Sequence, residues 1–87
     1  MKYVVRSEVT EGLGASEVFD TLEEAREQLN IWLEDDAEDE DGDWADIIVA
    51  VPDKDAKECA YGYAETEKFV EGKCGRKFHG SYYWKCE

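Results

Sequence analysis

The clearest pattern of hydrophobic and polar positions in the chain predicts a helix over about residues 21–36. Its apolar positions recur every three or four residues, as one buried helix face requires. These positions are Leu22, Ala25, Leu29, Trp32 and Leu33. Asp20 or Thr21 can cap the helix, because a glutamate follows three residues after either one and completes a capping box. The opposite face is polar and mostly acidic, so only one side of the helix is expected to pack on the domain.

Alternating segments predict four strands around this helix. Lys2–Val9 alternates loosely between apolar and polar residues. Trp44–Val51 is rich in β-branched residues and apolar on both faces, which is typical of a central strand. Residues 58–66 and 77–86 alternate again and predict a third and a fourth strand.

Segments that contain glycine predict the connections, with a loop at residues 11–16 and a turn at residues 71–76. The resulting order β-α-β-β-β predicts a single α+β domain over residues 1–87. In this domain one helix packs on one face of a mostly antiparallel sheet of about four strands. The strand positions expected to meet the helix are Val5, Ile47, Val49 and a tyrosine of the third strand.

Charge changes this picture, because it is large and concentrated in the first part of the chain. The net charge is −13; residues 1–53 carry 17 acidic and 3 basic residues, whereas residues 54–87 carry 6 and 7. Such an excess argues against nucleic acid or an anionic membrane as a direct partner, since both attract lysine and arginine. The asymmetry instead indicates an acidic interaction surface.

The acidic charge is densest in residues 34–46, where nine of thirteen residues are acidic and none is basic. This run begins in the last helical turn, where each carboxylate at the negative end of the helix dipole costs roughly 0.3–1 kcal/mol. We therefore expect the helix to end near Asp36 and residues 37–42 to form an acidic loop. A helix rises about 1.5 Å per residue, and duplex DNA carries a negative charge about every 1.7 Å of its axis. The segment can thus approach the charge density of DNA.

The acidic run does not match an EF-hand calcium loop. With Gly42 at the sixth position of such a loop, Ala37 stands at the first and Ile48 at the twelfth, where aspartate and glutamate are needed. Weak calcium binding of another kind stays open, and no other metal site is expected.

The cysteines Cys59, Cys74 and Cys86 are widely spaced and, together with His79, lack the C-x-x-C knuckle typical of zinc sites. No apolar run suits a signal peptide or a membrane span, so the sequence predicts reduced thiols in a cytoplasmic protein without a cofactor. One histidine without a nucleophile motif gives no catalytic triad, so an enzyme is the least favoured class. The basic and aromatic residues within 73–85 are expected to supply sheet core and counter-charge rather than to bind single-stranded nucleic acid.

In size, acidity and single-domain α+β layout, the chain resembles small phage-encoded inhibitors, such as anti-CRISPR and anti-restriction proteins of the DNA-mimic type. Residues 34–46, the FDTLEEA opening of the helix at residues 19–25 and the overall length carry this resemblance. The resemblance implies a protein of the host-cell cytosol that blocks a nucleic-acid-handling complex by stoichiometric binding and not by catalysis.

The sequence therefore predicts a non-catalytic protein whose carboxylates engage a basic groove of a nucleic-acid-binding protein or complex. The candidate residues are Glu34, Asp35, Asp36, Glu38, Asp39, Glu40, Asp41 and Asp43, with Glu23, Glu27 and Asp46 as extensions and Trp44 as an aromatic anchor. Two other classes stay open: a small accessory or structural domain whose acidic face only keeps it soluble, and a weak calcium-binding module.

Overall fold

Four strands and one long helix make up most of the residues that the computed structural model describes, which are 1–9, 12–38, 42–56 and 67–75. In chain order the elements are β1 (Lys2–Val9), β2 (Gly12–Phe19), α1 (Leu22–Ala37), β3 (Trp44–Val51), a short 3-10 helix (Asp53–Asp55) and β4 (Lys68–Gly75). The sheet has the order β2-β1-β3-β4, and every neighbouring pair is antiparallel. The predicted α+β class, with a helix packed on an antiparallel four-stranded sheet, is confirmed.

The central position predicted for β3 is also confirmed. This strand pairs with β1 on one edge and with β4 on the other, and residues 45–51 are all buried. Its neighbour β1 contributes Val4 and Val5, neither of which is exposed to solvent. A strand covered on both faces has no side on which polar residues are solvated, which explains the two-sided apolar pattern of β3.

The two faces of the sheet carry separate cores. The core under the helix is built from Val5, Ala25, Leu29 and Ile48, with Tyr3, Phe19, Leu22, Trp32, Leu33 and Val70 packed against it. The core on the opposite face is built from Val4, Ala45, Ile47, Val49, Val51 and Ala56. The prediction that Ile47 and Val49 meet the helix is therefore wrong, and Ile48 takes that position. Because β3 is apolar on both sides, its own pattern does not distinguish the face that the helix covers.

The predicted order β-α-β-β-β is wrong for the described residues, where two strands precede the helix. Residues 12–19 form β2, which pairs with β1, instead of extending a loop. Residues 68–75 form β4 in place of the turn predicted at residues 71–76. The predicted strands at residues 58–66 and 77–86 lie outside the described residues, as does the tyrosine that was expected to meet the helix.

Gly72 explains why the segment that forms β4 resembles a turn in the sequence. Gly72 lies directly opposite Ile47 in the sheet, and a Cβ atom at Gly72 would fall within 3.0 Å of the backbone of Asp46 and Ile47. Here glycine permits a close approach of two paired strands, which is one of its known uses inside sheets. Local sequence alone would assign Gly72 to a turn, but here glycine is required by the close packing of β3 and β4.

Helix α1 follows its prediction closely at both ends. Thr21 is the N-cap, and its Oγ1 accepts a hydrogen bond from the backbone N–H of Glu24 at 3.3 Å. The helix continues to Ala37, one residue beyond the predicted end near Asp36, and its last turn contains no basic residue. The negative end of the helix dipole is therefore not compensated by a side chain of the last turn.

The prediction of reduced cysteines is wrong for Cys74, which lies on β4 and is disulfide-bonded. Its bonding partner lies outside the described residues, where Cys59, Cys86 and His79 also lie. A disulfide in this position ties β4 to another part of the chain. The sequence indicates reduced thiols because it has an odd number of cysteines and no export signal, and neither feature reveals this bond.

Candidate partner-binding surface

The outward face of α1 is lined by carboxylates. Its exposed acidic residues, with the one at the C-cap, are Glu23, Glu24, Glu27, Glu34, Asp35 and Glu38. At about 1.5 Å per residue, the distance along the axis from Glu23 to Glu38 is roughly 22 Å. These six residues are called the acidic face below. Their exposure follows from the helix pattern, because the apolar side of α1 packs on the sheet and turns the polar side to solvent.

One basic residue, Arg26, lies on this helix, and it is paired. Its Nε lies 2.6 Å from Glu71 Oε1 on β4. This pair links the helix to β4, an edge strand of the sheet. The C-terminal half of α1 contains no lysine or arginine, so its carboxylates have no counter-charge from their own helix.

The acidic potential is strongest toward the C-terminal end of α1. At the N-terminal end, Glu23 and Glu24 face the positive end of the helix dipole, and Thr21 Oγ1 lies 3.0 Å from Glu24 Oε1. At the other end, Glu34, Asp35 and Glu38 add their charges to the negative end of the dipole. Charge and dipole therefore oppose each other at one end of the helix and reinforce each other at the other.

The other predicted site residues that the structure describes are less exposed. Asp36, Asp43 and Trp44 are half-buried, and Asp39, Glu40 and Asp41 lie outside the described residues. The indole of Trp44 lies against Gly75 of β4 so closely that a Cβ atom there would overlap the ring. Trp44 therefore packs within the protein with part of its surface, and only the remainder faces solvent.

Asp46 is not part of the exposed surface, contrary to the prediction. It is the second residue of the buried run of β3, residues 45–51, and is 0% exposed. On β1, Ser7 is its direct cross-strand neighbour, and the Ser7 hydroxyl donates a hydrogen bond to Asp36 Oδ2 at 3.3 Å. Neither carboxylate oxygen of Asp46 has a hydrogen-bond partner of normal geometry. The sequence signal for this site is an aspartate inside an otherwise apolar strand, at the end of the acidic run.

The pKa of Asp46 is raised from 3.8 to about 7, mainly by burial and also by the nearby Asp36 carboxylate, while the Ser7 hydroxyl opposes the shift. Desolvation disfavours the charged form, and a second carboxylate disfavours it again. The Asp46 carboxyl therefore loses its proton near neutral pH and not near pH 4. This is a carboxylate pair placed between the sheet and the last turn of α1.

A second set of charged residues lies on the opposite face of the sheet. Arg6 and Glu67 form an ion pair in which each side chain is only 1% exposed. Glu8 follows Arg6 on the same face of β1, and burial raises the pKa of its carboxyl. This set is separated from the acidic face by the sheet, so we regard it as structural.

The described residues give no support to a metal centre. Among them, no group of three or more His, Cys, Asp or Glu side chains is arranged to hold a metal ion. Asp39, Glu40 and Asp41, on which the calcium alternative partly depends, lie outside that part of the chain. In the same described part, no helix is long and apolar enough to span a membrane.

Comparison of the chain with protein-family models, with curated proteins and with solved structures found no match.

Proposed function

We propose that the protein is a non-catalytic inhibitor that binds the basic groove of a nucleic-acid-binding protein through the acidic face of α1. The observation that carries the proposal is the exposure of six carboxylates along roughly 22 Å of one helix, whose C-terminal half contains no basic residue. A groove built for phosphates presents lysine and arginine over a similar distance. The acidic face offers such a groove a substitute for the nucleic-acid backbone.

The shape of the acidic face also supports this function. A helix that packs on a sheet with one side projects the other as a convex ridge about 10–12 Å wide. The major groove of DNA is about 12 Å wide and admits an α-helix, so a protein channel that accepts a whole duplex is wide enough for this ridge. Glu34, Asp35 and Glu38 lie within two helical turns, so several partner cations can be engaged at once.

A complex held together by exposed charges should depend on salt concentration. Exposed ion pairs are screened over about 8 Å at physiological ionic strength, so association through the acidic face should weaken steeply as salt is added. A partner that holds nucleic acid with the same cations should release this protein when duplex DNA or RNA is added. Competition by nucleic acid distinguishes mimicry from simple adhesion of opposite charges.

The test compares two variants with an equal change of charge. Glu34→Lys with Glu38→Lys alters the acidic face, and Glu17→Lys with Asp53→Lys alters exposed carboxylates on β2 and on the 3-10 helix. Each protein is immobilised, incubated with bacterial lysate, and eluted first with duplex DNA and then with salt. We expect native protein and the second variant to retain nucleic-acid-binding proteins that DNA elutes, and the first variant to lose them.

Equal retention by the two variants would refute the proposal and would favour an accessory domain whose acidity only keeps it soluble.

The protein would act in the cytoplasm, where nucleic-acid-handling complexes of a host cell act. A disulfide such as that of Cys74 is uncommon in that compartment. A count of free thiols in protein isolated from cytoplasm therefore tests this part of the proposal.

A further inference from the structure

We infer that protonation of the Asp36–Asp46 carboxylate pair controls whether the last turn of α1 stays packed on the sheet. Three elements meet at this pair: β3 supplies Asp46, α1 supplies Asp36, and β1 supplies Ser7. The device is conformational and belongs to the free protein. Its consequence for partner binding rests on the proposed function, because the last turn carries the C-terminal half of the acidic face.

The geometry allows one of the two carboxylates to move and holds the other in place. Asp46 lies in the central strand, paired through its backbone with strands on both sides, and has no solvent exposure. Asp36 lies one residue before the end of α1 and is half-buried. Relief of repulsion between them therefore comes from displacement of the helix end and not of the strand.

No cation neutralises the pair within the described residues. The nearest register partner on β4 is Lys73, which is exposed and forms no salt bridge with Asp46. From β1 the neighbour is the neutral hydroxyl of Ser7, which donates to Asp36. From α1 the neighbours are Asp36 itself and the negative end of the helix dipole. Neither oxygen of Asp46 has a hydrogen-bond partner of normal geometry. A bound proton therefore lowers the free-energy cost of burying this carboxyl group beside Asp36.

The expected behaviour follows from the loss of that proton. When the pair holds one proton, Asp46 is neutral and the last turn can remain packed. When the proton leaves, two negative charges face each other beside a helix end that has no basic residue. The raised pKa of Asp46, about 7, places this change near neutral pH. Above that pH the last turn should open more often, and the carboxylates of Glu34, Asp35 and Glu38 should become more mobile.

The test is amide hydrogen exchange of the free protein, measured by NMR near pH 6 and near pH 8 and expressed as protection factors. If the open state has an ordinary aspartate pKa of about 3.9, protection in the last turn of native protein should fall about tenfold between these pH values. Asp46→Asn should abolish this fall, and Asp36→Asn should reduce it, because burial contributes most to the raised pKa of Asp46 and Asp36 contributes the remainder. Asp35→Asn, which removes an exposed charge from the same turn, should retain it.

An equal fall in native protein and Asp46→Asn, or constant protection in native protein, would overturn the inference. So would protection that depends on added calcium instead of pH, since the pair would then be a cation site. Global unfolding is monitored in parallel through amides of β3, so a variant that is merely unstable is recognised by loss of protection in both places. Because no partner is present, the outcome does not depend on whether the proposed function is correct.

Discussion

Replacing Asp46 with asparagine is expected to remove a large pH-dependent loss of stability. The Asp46 carboxyl is buried, and its pKa in the folded protein is about 7, against an ordinary value of 3.8. Between these two pH values the folded protein holds a proton that the unfolded chain has lost. The free energy of unfolding contributed by this group therefore falls as pH rises from about 4 to about 7, and it is constant outside that window.

The size of the effect follows from the difference between the two pKa values. Each pKa unit corresponds to about 1.4 kcal/mol, so the complete change amounts to about 4 kcal/mol, of which roughly 2.5 kcal/mol falls between about pH 5 and about pH 8. Asparagine has nearly the shape of the protonated acid and does not ionise. The Asp46→Asn protein should therefore lack this component, and at about pH 8 it should be more stable than native protein by several kcal/mol.

Urea unfolding followed by far-UV circular dichroism at a series of pH values measures this difference. The net charge of −13 gives every variant some pH dependence through self-repulsion, so the informative quantity is the native curve minus the Asp46→Asn curve. Asp35→Asn is the matched control, since it removes the same charge from an exposed position one residue from Asp36. Parallel curves for native protein and Asp46→Asn would show that Asp46 is not protonated in the folded state, and the reasoning would then be refuted.

Three further outcomes are expected. Glu67→Gln removes the buried carboxylate that faces Arg6 and should cost about 3 kcal/mol in urea unfolding, whereas Glu71→Gln, in an exposed pair, should cost less than about 1 kcal/mol; equal losses would contradict the difference in burial. Gly72→Ala should lower the free energy of unfolding by about 1–3 kcal/mol, because its Cβ meets the backbone of β3. Gly14→Ala, whose Cβ meets only a side chain and a carbonyl oxygen at ordinary contact distance, should be nearly neutral, and a loss equal to that of Gly72→Ala would show that the clash is not the cause. Thiol titration of the unreduced, urea-unfolded chain should count one free thiol among three cysteines, and a count of three would exclude the β4 disulfide.

The sequence by itself determined the helix and the two central strands. The apolar residues of α1 recur at helical spacing next to a capping box, and both signals depend only on residues within a few positions of one another. The bounds of β1 and β3 follow in the same way from alternation and from β-branched residues. The exposure of the acidic face was also predictable, because a helix with one apolar side turns the other side to solvent.

Only the tertiary structure decided the remaining strands and the buried carboxylate pair. The segments that form β2 and β4 contain glycines, and a glycine in a close-packed strand has the same local signature as a glycine in a turn. Which face of β3 meets the helix depends on pairing with β1, since both faces are apolar. Asp36 and Asp46 belong to one acidic run in the sequence, yet the fold places one at the end of a helix and the other inside the sheet. The difference arises because burial, and not composition, decides whether a carboxylate is a surface charge or a proton-binding group.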